Sequence, residues 1–75
     1  MNYMNTNESS IRLGNELQNE REKAGITLRE MAVKLDVDNS TISKWETGKN
    51  KISAVDLLRY LKVLDIKPDI FFERF

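Results

Sequence analysis

Apolar residues recur at helical spacing along most of the chain, and no stretch alternates with the two-residue period of a strand. Leu13, Leu17, Arg21 and Ala24 form the first stripe. It predicts a helix from about Ile11 to Ala24, capped by Ser9 or Ser10 and ended by Gly25 in the left-handed conformation. Leu28, Met31, Ala32 and Leu35 form a second stripe. Thr27-x-x-Glu30 opens it as a capping box, and Ile26 and Met31 are placed as a hydrophobic staple. Asp36 and Val37 leave room only for a turn, after which Asp38 can cap a third helix. In that helix Ile42, Trp45 and Glu46 share the inner face. Ser40, Lys44 and Thr47 point the opposite way, with Thr41 and Ser43 on the flanks.

Residues 48–51 read as a loop. Ser53-x-x-Asp56 is a weaker capping box for a fourth helix, with Ile52 and Leu57 as its staple and Leu57, Leu58, Leu61 and Leu64 facing inward. Asp65-Ile66-Lys67 breaks that helix. Pro68 and Asp69 suit the first turn of a short last one, whose Ile70, Phe71, Phe72 and Phe75 make an apolar ending. Residues 1–9 are polar and without periodicity, and read as a flexible arm. The expected fold class is all-α: a compact five-helix domain over residues 10–75.

Composition narrows the chemistry. Seventy-five residues make one small domain of modest stability. There is no cysteine or histidine, so thiolate sites, disulfides and the commonest metal ligand and general base are missing. Neither an activated nucleophile nor a cofactor site is visible, and an enzyme is not expected. No apolar run approaches membrane-spanning length and the N-terminus lacks the apolar core of a signal peptide, so the expected compartment is the cytoplasm. Twelve basic residues balance twelve acidic ones. A nucleic-acid binder usually carries a basic excess. Here the balance is uneven along the chain: residues 39–75 are net basic, and Lys44, Lys49 and Lys51 cluster at the end of the third helix.

Two capped helices around a two-residue turn, with an outer face of small polar residues and one lysine, suggest a helix-turn-helix at about residues 27–47. Gly25-Ile26-Thr27, then Glu30-Met31-Ala32-x-x-Leu35, then Ser40-Thr41-Ile42-Ser43-x-Trp45-Glu46-x-Gly48-Lys49 resembles the Cro and lambda-repressor-type helix-turn-helix family, called XRE. The resemblance runs from about Leu13 to Phe72. It implies a sequence-specific regulator of transcription, a repressor working as a homodimer on a palindromic stretch of double-stranded DNA.

By position in that family, Asn39, Ser40 and Lys44 would meet base edges, and Thr41 and Ser43 would lie nearer the backbone. The chemistry agrees: Asn pairs bidentately with adenine, Lys donates to guanine, and Ser bonds several bases. A solvated helix face shows the same residue types, and it is the surrounding motif that favours DNA. Thr27, Lys49, Asn50 and Lys51 fall where family members hold phosphates. Arg21 and Glu46 fall where the family places a buried salt bridge between its first and third helices. Two departures stand out. Leu28 occupies a position often held by a phosphate-binding glutamine, and by periodicity it is core. Asp36 replaces the usual turn glycine, which predicts a strained or left-handed backbone. Trp45 reads as core rather than as a base-stacking residue, and Phe71, Phe72 and Phe75 as core plus a dimer contact. An alternative from another class is a protein-interaction module, such as the antitoxin of a toxin–antitoxin pair, which the neutral charge and apolar ending suit.

Overall fold

The stripes become five helices: α1 (Thr6–Lys23), α2 (Leu28–Leu35), α3 (Asn39–Thr47), α4 (Ala54–Val63) and α5 (Pro68–Phe72). The computed structural model describes the backbone of residues 6–75 and the side chains from residue 7 onward, and these residues include no strand.

Three of the connections share one construction. Gly25, Asp36 and Asp65 adopt left-handed backbone, with φ of 72°, 57° and 57°. The next residue, Ile26, Val37 or Ile66, returns its N–H to the carbonyl of Arg21, Ala32 or Leu61 at 3.2, 3.0 and 3.0 Å. This is the Schellman ending, which satisfies carbonyls that a helix leaves open. All three apolar residues pack half-buried against the core, which supplies the hydrophobic contact that accompanies such endings. The residue after each, Thr27, Asp38 or Lys67, is extended and begins the next helix. A unit of left-handed, apolar and extended residues therefore closes one helix and opens another within three positions.

The capping chemistry follows the sequence at two helix starts, those of α2 and α4. At α2 the Thr27 hydroxyl accepts from the Glu30 N–H, and Glu30 Oε1 accepts from the Thr27 N–H, both at 3.0 Å. At α4 the Ser53 hydroxyl accepts from the Asp56 N–H at 3.0 Å, while the Asp56 carboxylate turns away to Arg59. Asp38 stands at the start of α3 but its side chain makes no capping hydrogen bond.

The core is contiguous. Leu17 from α1, Met31 and Leu35 from α2, Ile42 and Trp45 from α3, Leu57, Tyr60 and Leu61 from α4, and Phe71 from α5 are all buried. Full burial of such a side chain contributes roughly 1.5–3 kcal/mol. At the crossing of α1 and α3 the two backbones meet at Gly14. A Cβ there would lie 2.3 Å from the Trp45 carbonyl oxygen and 2.6 Å from that of Glu46. Backbone atoms cannot step aside, so any other residue would push the two helices apart.

Several expectations are corrected. Helix α1 starts at Thr6, so Ser9 and Ser10 lie inside it and residues 6–9 are helical rather than part of an arm; the rest of the proposed arm lies outside the described residues. This stretch is polar all round and carries no stripe to reveal it, though Glu8 suits a first helical turn. Ala24 is exposed, and the inner face of α1 ends instead on Glu20 and Arg21. On α4, Leu58 is exposed and Tyr60 is buried in its place. Leu57, Tyr60, Leu61 and Leu64 lie on one face of the helix, and Leu58, about 100° round from Leu57, falls beyond its edge. Phe71 is wholly buried in the core of its own chain, so it is not available as a dimer contact; Phe72 and Phe75 stay about half exposed.

Asp36 in the left-handed region carries strain that glycine would relieve. Asp36→Gly is expected to raise stability by about 0.5–1 kcal/mol, the strain removed less the added freedom of the unfolded chain. A higher urea midpoint with unchanged slope checks it; a lower midpoint would mean that the aspartate side chain contributes more than the strain removes.

Candidate nucleic-acid interface

Helix α3 divides cleanly. Ile42, Trp45 and Glu46 are buried, while Asn39, Ser40 and Lys44 are exposed and Thr41 and Ser43 half-buried. The three candidates for base contact thus share one outward face, with the flanking pair beside it. Thr47 is exposed too, but its hydroxyl donates to the Ser43 carbonyl at 2.9 Å, on its own helix.

The loop after α3 is folded back on it. Gly48, with φ of 79°, turns the chain. The Asn50 N–H then donates to the Lys44 carbonyl at 3.2 Å. That bond keeps the backbone of the loop close to the last turn of α3, and Lys49, Asn50 and Lys51 are exposed there. A neutral protein can have a local positive field.

Thr27 is exposed at the start of α2, where its hydroxyl oxygen accepts from the Glu30 N–H. The same capping box places an anion there. The Thr27 N–H, then the Thr27 hydroxyl, hold the Glu30 carboxyl below its ordinary range. The α2 N-terminus therefore already carries a negative charge, which weakens it as an anion site compared with the exposed lysines after α3. Leu28 is half-buried against the core, as its spacing predicted.

Beneath this face lies a polar network. Arg21 Nε and Nη2 donate to the two carboxylate oxygens of Glu46 at 2.8 and 2.9 Å, a bidentate pair buried between α1 and α3. Arg21 Nη1 also donates to the Ile26 carbonyl at 2.8 Å, which ties the pair to the turn before α2. The Tyr60 hydroxyl donates to Glu46 Oε2 at 2.5 Å. The hydrogen bond to Glu46 holds the Arg21 guanidinium even further above neutrality than usual, against the opposing effect of burial. Burial, and then the Glu46 carboxylate, push the Tyr60 hydroxyl well above the ordinary tyrosine range.

Sequence reading brought Arg21 and Glu46 together and missed Tyr60, whose one available signal is a polar tip within a leucine stripe. It also missed Gly14, whose signal is a glycine in mid-helix. At the C-terminus, Arg74 pairs with Glu20 of α1, and the Arg12 guanidinium lies 4.7 Å from the centre of the Phe75 ring.

No described helix is long and apolar enough to cross a membrane. A family model described as helix-turn-helix matches residues 17–71. No curated protein sequence matches the chain. Among solved structures, the restriction–modification controller protein C.AhdI from Aeromonas hydrophila superposes with a TM-score of 0.78 at 25% identity, over 84% of this chain and 96% of that one. The clp gene regulator ClgR from C. glutamicum gives 0.78 at 29% identity, over 85% and 83%. The controller protein C.Esp1396I, solved as a tetramer on its natural 35 base-pair operator, gives 0.76 over 85% and 84%; at 23% identity it shows the shared fold alone.

The Arg21–Glu46 pair permits a double-mutant cycle. Arg21→Ala or Glu46→Ala is expected to cost roughly 3–5 kcal/mol, because each leaves a buried charge alone. The double variant should lose less than the two losses added together; additive losses in chemical denaturation would show that the pair is not coupled. The raised Tyr60 hydroxyl makes a second prediction. It stays protonated in the folded chain where an unfolded tyrosine ionises. Its contribution is therefore complete below about pH 10 and falls as pH rises beyond that. Stability of Tyr60→Phe should decline less steeply above about pH 10 than that of the unsubstituted protein; parallel curves would count against the shift.

With the motif, the five-helix fold and the model match in agreement, the chain belongs to the XRE-type helix-turn-helix family, whose fold is that of DNA-binding transcription regulators.

Proposed function

We propose that the protein is a sequence-specific repressor that acts as a homodimer on a palindromic operator in the cytoplasm, by binding rather than by catalysis. The observation that carries this reading is the outward face of α3, with Asn39, Ser40 and Lys44 exposed together on a helix fastened from behind by a buried ion pair. Lys49, Asn50 and Lys51 beside it suit the phosphate backbone. The operator complex of the C.Esp1396I tetramer supports assembly on DNA as a use of this fold.

A monomer has little to bind with. Three base-contacting side chains and a zero net charge leave weak non-specific attraction. Two copies place two such helices about 34 Å apart, one duplex turn, and their contributions combine. Phe72 and Phe75 supply the apolar surface a dimer needs: both are about half exposed, with ring centres 6.1 Å apart. The same patch also suits an interaction module that binds another protein, and the DNA experiment separates the two readings.

Selection of binding sites from random duplex DNA should return a motif with two related halves. On that site, Lys44→Ala should alter base preference at one position per half-site, at ~1–3 kcal/mol, while Lys51→Ala should weaken all sequences alike and lower the salt slope by about one unit. An unchanged preference for the Lys44 variant would remove that residue from the base-reading set. Phe72→Glu together with Phe75→Glu should give a folded monomer with weak operator binding. Sedimentation of that variant as a dimer would place the interface elsewhere.

A further inference from the structure

We propose that Arg59 and Tyr60, consecutive residues of α4, are positioning residues for sequence reading: together they fix how α3 sits against α2. The inference rests on the DNA-binding reading. Neighbouring positions on a helix point about 100° apart, so adjacent side chains can reach two different helices. Here they do. Arg59 Nη2 donates to the Leu35 carbonyl at 2.6 Å. Leu35 ends α2, where carbonyls lack partners within the helix and a cation is favoured by the helix dipole. Asp56 Oδ1 holds the same guanidinium at 3.0 Å, and the Asp56 N–H is itself held by Ser53. Leu35 directly precedes the left-handed Asp36, so Arg59 grips the strained turn that joins α2 to α3.

Tyr60 grips the other helix. Its hydroxyl donates to Glu46, which faces inward on α3 while Lys44, two residues earlier, faces outward. Two residues correspond to about 200° of helical rotation, so these side chains lie on opposite sides of the axis. Any rotation of α3 that carries Glu46 off the Tyr60 hydroxyl swings Lys44 the other way across the groove. The inner hydrogen bond thus sets the rotation of the outer, base-reading face.

The test uses the full chain and three variants, Tyr60→Phe, Arg59→Met and Arg59→Lys. Affinities are measured for the selected site, for single-base variants of it and for unrelated duplex, each at several salt concentrations. For Tyr60→Phe and Arg59→Met, discrimination between the selected site and its one-base variants is expected to fall by roughly threefold or more, part of what a well-aligned base contact provides. Affinity for unrelated duplex and the salt slope should not change, and Arg59→Lys, which keeps a charged donor, should recover most of the loss. A general loss of stability lowers binding to every sequence by the same factor, and that outcome overturns the proposal. A salt slope lower by about one unit in Arg59→Met would make Arg59 a phosphate contact and overturn its positioning role. If the unsubstituted chain selects no motif, the DNA-binding reading fails by itself. The positioning is then read in the free protein by amide hydrogen exchange. Faster exchange in Tyr60→Phe confined to α3 supports it, and uniform acceleration, or none, rejects it.

Discussion

A carboxylate taken out of water costs several kilocalories per mole unless partners replace its hydration. Glu46 of α3 is such a carboxylate, and two other helices are committed to it. Arg21 of α1 supplies a two-pronged donor and Tyr60 of α4 a hydroxyl. Arg21 extends the commitment to the Ile26 carbonyl, just before α2. An apolar cluster of the same volume could be at least as stable. What the polar network adds is direction, because the bidentate fork of Arg21 matches the Glu46 carboxylate in a fixed geometry, and the Tyr60 hydroxyl lies 2.5 Å from that carboxylate and 3.2 Å from the Leu17 carbonyl. Helix α3 is short and Asn39, Ser40 and Lys44 on its outward face are exposed, so its orientation depends largely on what holds it from inside.

The connections contribute to the same end. Each three-residue unit fixes one helix axis relative to the next without a flexible linker. The unit between α2 and α3 matters most for the interface, since it joins the two halves of the helix-turn-helix. Asp36 stands there in a conformation that costs an L-residue about 1 kcal/mol or more, and Asp65 repeats the arrangement after α4. Both are tolerated because the apolar residue that follows is drawn into the core.

Much of this was legible in the sequence. Helical spacing located four helices and Pro68 with Asp69 the fifth, the Thr27–Glu30 capping box formed as written, and the outward face of α3 carries the residues its periodicity placed there. The failures have physical causes. The first turn of α1 has no apolar stripe, so its helical character rests on continuity with the rest of the helix. Leu58 and Tyr60 were exchanged because hydropathy ranks leucine above tyrosine, whereas position on the helix decides burial and the tyrosine hydroxyl had a partner waiting. Phe71 went inward because only one of three neighbouring phenylalanines could, and spacing did not say which. The Arg59 bond to Leu35 joins residues far apart in the chain and leaves no local mark.

Trp45 is the single tryptophan of the chain, and it lies buried beside Glu46 with its carbonyl against Gly14. The protein therefore carries one indole, seated on the inner face of the helix whose orientation matters most. Emission from a dry indole is blue-shifted, and it moves red when water reaches the ring. Loosening of α3 is therefore optically visible without any label.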